Sequence, residues 1–185
     1  MTPVMRIALK FLLVTGQRRQ EIVGARWDEI QEDDELWEIP ADRMKNGRAH
    51  TVPLSSLALD LLSQARELSE DTDWLFPSPL SDGPLKPQTV TRALRDNLAD
   101  MGLSGITPHD FRRTCATTMT QLGISLFVVG RVLSHTDQSI TARVYDKNDY
   151  LPQKRQALDS WARWLEQTIS GESTAGETVV PLRSG

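Results

Sequence analysis

The chain has 185 residues, with 21 Lys and Arg against 25 Asp and Glu and a formal net charge of −4; that length suits one domain with a sizeable core, at roughly 100–200 residues per domain. The single cysteine, Cys115, excludes a disulfide framework and any multi-cysteine metal site, and fits a reducing cytoplasm. The negative balance excludes a whole-surface electrostatic grip on nucleic acid, and the apolar stretch from Ile7 to Val14, broken by Lys10, is too short to cross a bilayer.

Residues 3–15 are almost continuously apolar and end at Gly16, which predicts a buried helix with a left-handed C-cap. A short second helix should run from Arg18 to Ala25. Leu36–Ile39 and His50–Leu54 read as strands, and Asn46-Gly47 between them predicts a two-residue hairpin turn with Lys45 and Arg48 together at its tip. Ser55 or Ser56 then caps a helix carrying Leu57, Leu61, Leu62 and Leu68, and Pro77–Pro87 is a loop rich in Pro, Ser and Gly. Pro87 opens a helix in which Val90, Ala93, Leu94, Leu98 and Met101 recur at helical spacing before Gly102 stops it.

Helices are expected next over Asp110–Leu122, Leu126–Leu133 and Ser139–Tyr145. Pro152 starts a last amphipathic helix with Leu158, Trp161 and Leu165 on one stripe. After Ile169 the composition turns to Ser, Gly, Thr and Glu. A domain over residues 1–169 and a tail over 170–185 follow, with Val179–Leu182 an apolar run able to dock. The fold class is mainly α with a small antiparallel β-sheet, and no internal repeat is present.

Two of the three histidines, His109 and His135, fall near Arg112 and one of the two tyrosines, Tyr145, with Thr15-Gly16-Gln17-Arg18 far upstream. Arginines to clamp phosphate, imidazoles to exchange protons and a phenol to attack make up an inventory for phosphoryl transfer through tyrosine. Arg18, Arg19, Lys45, Arg48, Arg112, Arg113, Arg131 and Arg143 all fall beside these positions, whereas acid concentrates at Asp28–Glu38 and Glu67–Asp73. A basic face with an acidic back is the expected distribution.

Thr15-Gly16-Gln17-Arg18 with Glu21, Met44-Lys45, Thr107-Pro108-His109-Asp110-Phe111-Arg112, Leu133-Ser134-His135 and Val144-Tyr145 resemble, in order and spacing, the successive boxes of the tyrosine recombinases, in the phage and prophage integrase branch. The resemblance covers residues 1–167 and corresponds to the catalytic-domain fold of that family. It implies a site-specific DNA recombinase that cleaves and rejoins DNA through a covalent 3′-phosphotyrosine, for integration or excision of a mobile element. Arg18 and Arg112 would clamp the phosphate, Tyr145 attack it, Lys45 protonate the leaving oxygen, and His109 and His135 exchange a proton or bond the phosphate. Arg19, Arg48, Arg113, Arg131 and Arg143 would bind DNA.

No cofactor and no metal is called for, because the phosphotyrosine ester stores the energy for rejoining. Double-stranded attachment sites, further protomers forming a tetramer on DNA and accessory DNA-bending proteins are the implied partners, in the cytoplasm and away from membranes. The match starts at the helix before the first arginine box, so the helical DNA-clamping domain of the family is not expected here. The chain alone should then be chiefly monomeric and bind DNA weakly, with strong salt dependence.

Each residue also has a plainer reading. Arg18 can pair with Glu21 on the surface, Lys45 can be a solvated hairpin lysine that protects an edge strand, His109 a helix cap, His135 a satisfied loop histidine, and Tyr145 a packed side chain with Tyr150 its rival as nucleophile. Cys115 reads as core, and Glu21 as a structural residue orienting either the first turn of its helix or Arg18. Met119–Leu133 resembles a helix-turn-helix, so a non-catalytic DNA-binding regulator is an alternative, and a type IB topoisomerase shares the tyrosine chemistry. Dependence of covalent cleavage on two matched DNA sites separates recombinase from topoisomerase. The Leu158, Trp161 and Leu165 stripe can dock on a neighbouring protomer or on its own domain.

Overall fold

A computed structural model describes residues 1–69, 72–135 and 149–171. The order of elements is α1 (Pro3–Thr15), α2 (Arg19–Val23), β1 (Ile30–Gln31), β2 (Leu36–Ile39), β3 (His50–Pro53), α3 (Ser56–Leu68), α4 (Pro87–Asn97), α5 (Pro108–Gln121), α6 (Leu126–Val132) and α7 (Leu151–Ser170). Among the described residues the fold is mainly helical, with one three-stranded antiparallel sheet in the order β1-β2-β3.

Helix α1 is the axis of the core. Thr2 caps it, its hydroxyl accepting from the Met5 N–H, and Pro3 occupies the first turn, where a missing N–H costs nothing. Met5, Ile7, Ala8, Leu9, Phe11, Leu12 and Val14 are all buried, so most of the circumference is covered, by α3, α4, α5 and α7, and Pro3, Arg6 and Lys10 form the exposed strip. Phe11 lies between Trp37 and Phe76, with ring centroids 5.5 and 5.7 Å away.

Gly16 ends α1 at φ 65°, its N–H donating to the Leu12 carbonyl. A Cβ there would stand 2.9 Å from the Cys115 sulfur, so both the backbone and the close approach of α5 demand glycine. Cys115 is core, as expected, and burial pushes its thiol up to about 12, far from a reactive thiolate.

The hairpin differs from the sequence expectation. β2 and β3 pair in register as far as Ile39 opposite His50, which leaves residues 40–49 as a long loop rather than a two-residue turn at Asn46-Gly47. Gly47 has φ 66° but Asn46 does not take positive φ, and a type I′ turn needs both. Tertiary anchors hold the loop open: Met44 is buried, and Arg43 reaches back to the Glu29 carboxylate and the Glu21 carbonyl. Lys45 and Arg48 do share the exposed part of this loop. Strand β1 and the 3-10 turns at Trp27–Glu29 and Ala41–Arg43 had no counterpart in the sequence reading.

Other elements fall close to expectation. Ser55 is the cap of α3, whose buried stripe is Ala58, Leu61, Leu62 and Ala65, while Leu68 is exposed. Helix α4 stops at Asn97, and a 3-10 turn continues to the exposed Met101 before Gly102 turns left-handed. The stretch expected as a helix over Ser139–Tyr145 lies outside the described residues, as does the tail from residue 172.

Helix α7 packs on its own chain, against β3, α6, α5, α3 and α1. Leu158, Trp161 and Leu165 are buried there, and the Trp161 indole N–H donates to the Leu13 carbonyl at 3.0 Å. Trp164 stacks on Trp161 at 5.3 Å and 13°. Among the described residues, no helix is long and apolar enough to cross a membrane.

Candidate active site

Three elements bring the candidate residues together. The turn after α1 presents Gln17, Arg18 and Arg19, the β2–β3 loop brings Lys45, and the first turns of α5 bring His109 and Arg112. Together with Thr91 of α4, they line a cleft of about 560 Å³.

Helix α5 starts in a fixed place because Thr107 and Asp110 form a reciprocal capping box, with the Thr107 N–H 2.9 Å from the Asp110 carboxylate. Those hydrogen bonds hold the Asp110 carboxyl below its usual range. His109 and Arg112, three apart, consequently project from one face of the helix. His109 is exposed and Arg112 is 5% exposed.

Arg112 donates to the Gly16 carbonyl at 2.8 Å and to the Leu133 carbonyl, so its hydrogen bonds go to backbone oxygens rather than to a carboxylate. Burial pulls its pKa down to about 10, and the positive charge of Arg18 adds to the shift. Two guanidiniums therefore share one site, and one of them is desolvated.

Arg18 is held by Glu21, which is 2% exposed, at 2.9 Å, and the same carboxylate accepts from the Arg18 backbone N–H at 2.7 Å. A second Arg18 nitrogen donates to the Ser134 carbonyl at 3.4 Å. The plainer sequence reading thus holds in part: the pair with Glu21 is present, and it orients Arg18 toward the cleft rather than leaving it on an open surface.

His135 follows Ser134, whose φ is 50°, and its N–H donates to the Gly130 carbonyl at 2.8 Å. Its ring does not line the cleft, yet it lies within electrostatic reach. Burial lowers its pKa, and the charges of Arg112 and Arg18 lower it further, which favours the neutral ring. Tyr145 and Arg143 lie outside the described residues. Tyr150, the rival nucleophile, packs edge-on against Phe127 at 4.9 Å with Arg131 over its ring.

The remaining candidate DNA ligands are dispersed. Arg19 lines the cleft and donates to the Thr91 hydroxyl, and Arg48 is exposed on the Lys45 loop. Arg113 is exposed and pairs with Asp110 at 3.5 Å, whereas Arg131 covers Phe127 and Tyr150 away from the cleft lining. Helices α5 and α6 do form a helix-turn-helix-like pair around Gly123, but α6 opens with Leu126 and Phe127, apolar and exposed.

Sequence reasoning gave no role to Gln17, His50 or Lys154. The Gln17 side-chain amide is buried and donates to the Thr15 and Val132 carbonyls, each at 3.0 Å. His50 meets the same Val132 oxygen at 3.0 Å, and Lys154 reaches the Thr51 carbonyl at 2.6 Å. One signal for His50 was present: it alternates with Val52 and Leu54 on the buried face of the strand.

Residues 3–151 match the phage integrase family. The chain is 36% identical over 168 residues to the prophage integrase IntA of Escherichia coli K12, covering 90% of this chain and 40% of that protein. It therefore spans less than half the length of that relative. The catalytic core of lambda integrase superposes with a TM-score of 0.60 at 22% identity, over 74% of this chain and 82% of that one. A lambda integrase tetramer bound to a Holliday junction gives 0.61 at 21% identity, over 75% and 43%. The chain belongs to the phage integrase family, and its fold is that of a tyrosine recombinase catalytic core.

Proposed function

We propose that this chain is the catalytic domain of a site-specific recombinase that breaks and rejoins DNA through Tyr145. The observation that carries the reading is the cleft where Arg18, Lys45, His109 and the buried Arg112 converge. A desolvated guanidinium hydrogen-bonded to carbonyls keeps a full positive charge for an incoming anion. A phosphodiester supplies that anion, and it gains charge as it is attacked.

Arg18 and Arg112 bind the non-bridging oxygens and stabilise the charge that grows in the transition state. His135, kept neutral, donates a further hydrogen bond, and His109 relays a proton or bonds a phosphate oxygen. The Tyr145 phenol attacks phosphorus, the bond to the 5′ oxygen breaks, and Lys45 gives that oxygen its proton. Reversal with a new 5′ hydroxyl rejoins the strand, with no cofactor or metal consumed. Arg19 and Arg48 flank the cleft as DNA ligands, and Arg113, Arg131 and Arg143 are assigned to the flanking backbone.

Attachment-site DNA, a tetramer assembled on it and accessory bending proteins complete the proposal, with the cytoplasm as the compartment. Support for DNA and assembly comes from the lambda relative solved as a tetramer on a Holliday junction. A regulator would leave the cleft and Lys45 without purpose, and a topoisomerase would cleave without a second matched site. The domain is assigned to residues 1–169 and the tail to 170–185.

On a nicked suicide substrate, the parent chain should form a covalent protein–DNA adduct that Tyr145→Phe abolishes and Tyr150→Phe retains. An adduct that needs Tyr150 instead would overturn the assignment of the nucleophile.

A further inference from the structure

The last turn of α6 leaves backbone carbonyls without helical partners, and three consecutive ones are taken by side chains from elsewhere. Val132 accepts from both Gln17 and His50 at 3.0 Å, Leu133 from Arg112, and Ser134 from Arg18 at 3.4 Å. The two guanidiniums assigned to the phosphate are thus each held on one side by a carbonyl that directly follows Val132, and on the other by Glu21 for Arg18 and by the Gly16 carbonyl for Arg112. A carbonyl oxygen only accepts, so His50 carries its proton on Nε2.

His50 is itself held in place. It pairs with Ile39 in the β2–β3 register, and the next residue, Thr51, receives the buried Lys154 of α7 on its carbonyl at 2.6 Å, with Asp149 2.7 Å from the same ammonium. Among the described residues β3 is at the edge of the sheet, and Lys154 donates to its Thr51 carbonyl as a neighbouring strand would. Asn46 of the Lys45 loop adds a bond to the Ser134 hydroxyl at 3.3 Å. The strand that continues from the Lys45 loop therefore also fixes the end of α6.

We propose that His50 and Gln17 are positioning residues of the strand-transfer site, fixing the Val132 carbonyl so that the Leu133 and Ser134 carbonyls aim Arg112 and Arg18 at the phosphate. The inference rests on the reading of Arg18 and Arg112 as the phosphate clamp. Both terminal nitrogens of each arginine are engaged, those of Arg112 by the Gly16 and Leu133 carbonyls and those of Arg18 by Glu21 and the Ser134 carbonyl, which sets the plane of each fork and leaves the second N–H of each nitrogen for phosphate oxygens. A guanidinium displaced by an ångström loses alignment with the transition state, a loss worth roughly 100-fold in rate.

The test compares adduct formation on a normal phosphodiester with that on a methylphosphonate at the scissile position, which lacks the negative charge the arginines neutralise. Arg18→Ala sets the benchmark, with a defect that shrinks on the neutral substrate. His50→Leu and Gln17→Met should each lower phosphodiester cleavage roughly 10–100-fold, shrink in defect on the neutral substrate as Arg18→Ala does, and leave adducts that still require Tyr145. His50→Gln, which keeps a donor, should restore most of the rate. Either variant cleaving the phosphodiester at the parent rate, or keeping the same defect on both substrates, overturns the proposal. Should His50→Leu not fold, Gln17→Met decides by the same criteria, and a folded His50→Gln as defective as Arg18→Ala on the phosphodiester overturns the role given to the His50 donor. A parent chain that forms no Tyr145-dependent adduct, or an Arg18→Ala defect equal on both substrates, instead overturns the proposed function on which the inference stands.

Discussion

Arg112 answers to two demands, because the donors that fix its plane also satisfy the Gly16 and Leu133 carbonyls. Arg112→Ala should lose the ~3–4 kcal/mol of transition-state stabilisation typical of one such donor, and also destabilise the fold by stranding two carbonyls at about 1–3 kcal/mol each. Arg18, a third exposed, is the cleaner probe. Arg18→Ala should cut adduct formation by orders of magnitude with little change in melting temperature, and parent-like cleavage would reduce Arg18 to the partner of Glu21. His50 adds a pH dependence. Burial holds its pKa near 4 against an ordinary 6.5, with Lys154 and Arg112 pressing the same way and the Val132 carbonyl and Asp149 opposing. The unfolded ring therefore binds its proton first on acidification. Stability is complete above about pH 6.5 and falls by about 3 kcal/mol on descent to pH 4. Urea midpoints should drop less steeply over that interval in His50→Gln than in the parent, and identical slopes would refute the assignment.

At the scale of elements, the β2–β3 loop shows where local rules give way. Asn46-Gly47 is a strong hairpin signal, yet buried Met44 and the reach of Arg43 to Glu29 hold the loop open from residue 40 to residue 49. The result leaves Lys45 exposed and lining the cleft. If Lys45 protonates the leaving oxygen, replacing the bridging 5′ oxygen by sulfur should rescue Lys45→Ala, since a thiolate departs without a proton. A defect that persists with sulfur would assign Lys45 to positioning. The helices were legible because their stops and caps are local: Gly16, Ser55 and Pro87 each mark a boundary, whereas the helix expected from Asp110 starts two residues earlier, at Pro108. Four candidate residues, Arg18, Lys45, His109 and Arg112, were legible from their order along the chain, and they line one cleft. Gln17 and His50 were not assigned, since a bond to a backbone carbonyl more than eighty residues away leaves no mark in local sequence. β1, two residues long, offers no alternation to detect.

For the whole molecule, α7 decides whether the chain is one body. It buries Ala157, Leu158, Trp161 and Leu165 against the rest of the domain. With roughly 1.5–3 kcal/mol for each large side chain, its loss approaches the 5–15 kcal/mol that holds a domain folded. A chain cut before Leu151 should be unfolded or insoluble, as judged by circular dichroism and sedimentation, and a folded soluble monomer would mean that α7 is dispensable. The stripe that sequence alone left open between neighbour and self is occupied within one chain.

The same helix carries an optical signature. Trp161 and Trp164 lie nearly parallel at 5.3 Å, close enough for their indole transitions to couple. Such a pair contributes a split, opposite-signed band to the far-ultraviolet dichroism, and the bond of the Trp161 N–H to the Leu13 carbonyl of α1 fixes one of the two coupled indoles. The shape of the couplet is therefore sensitive to how α7 seats on α1, and it is readable without a label.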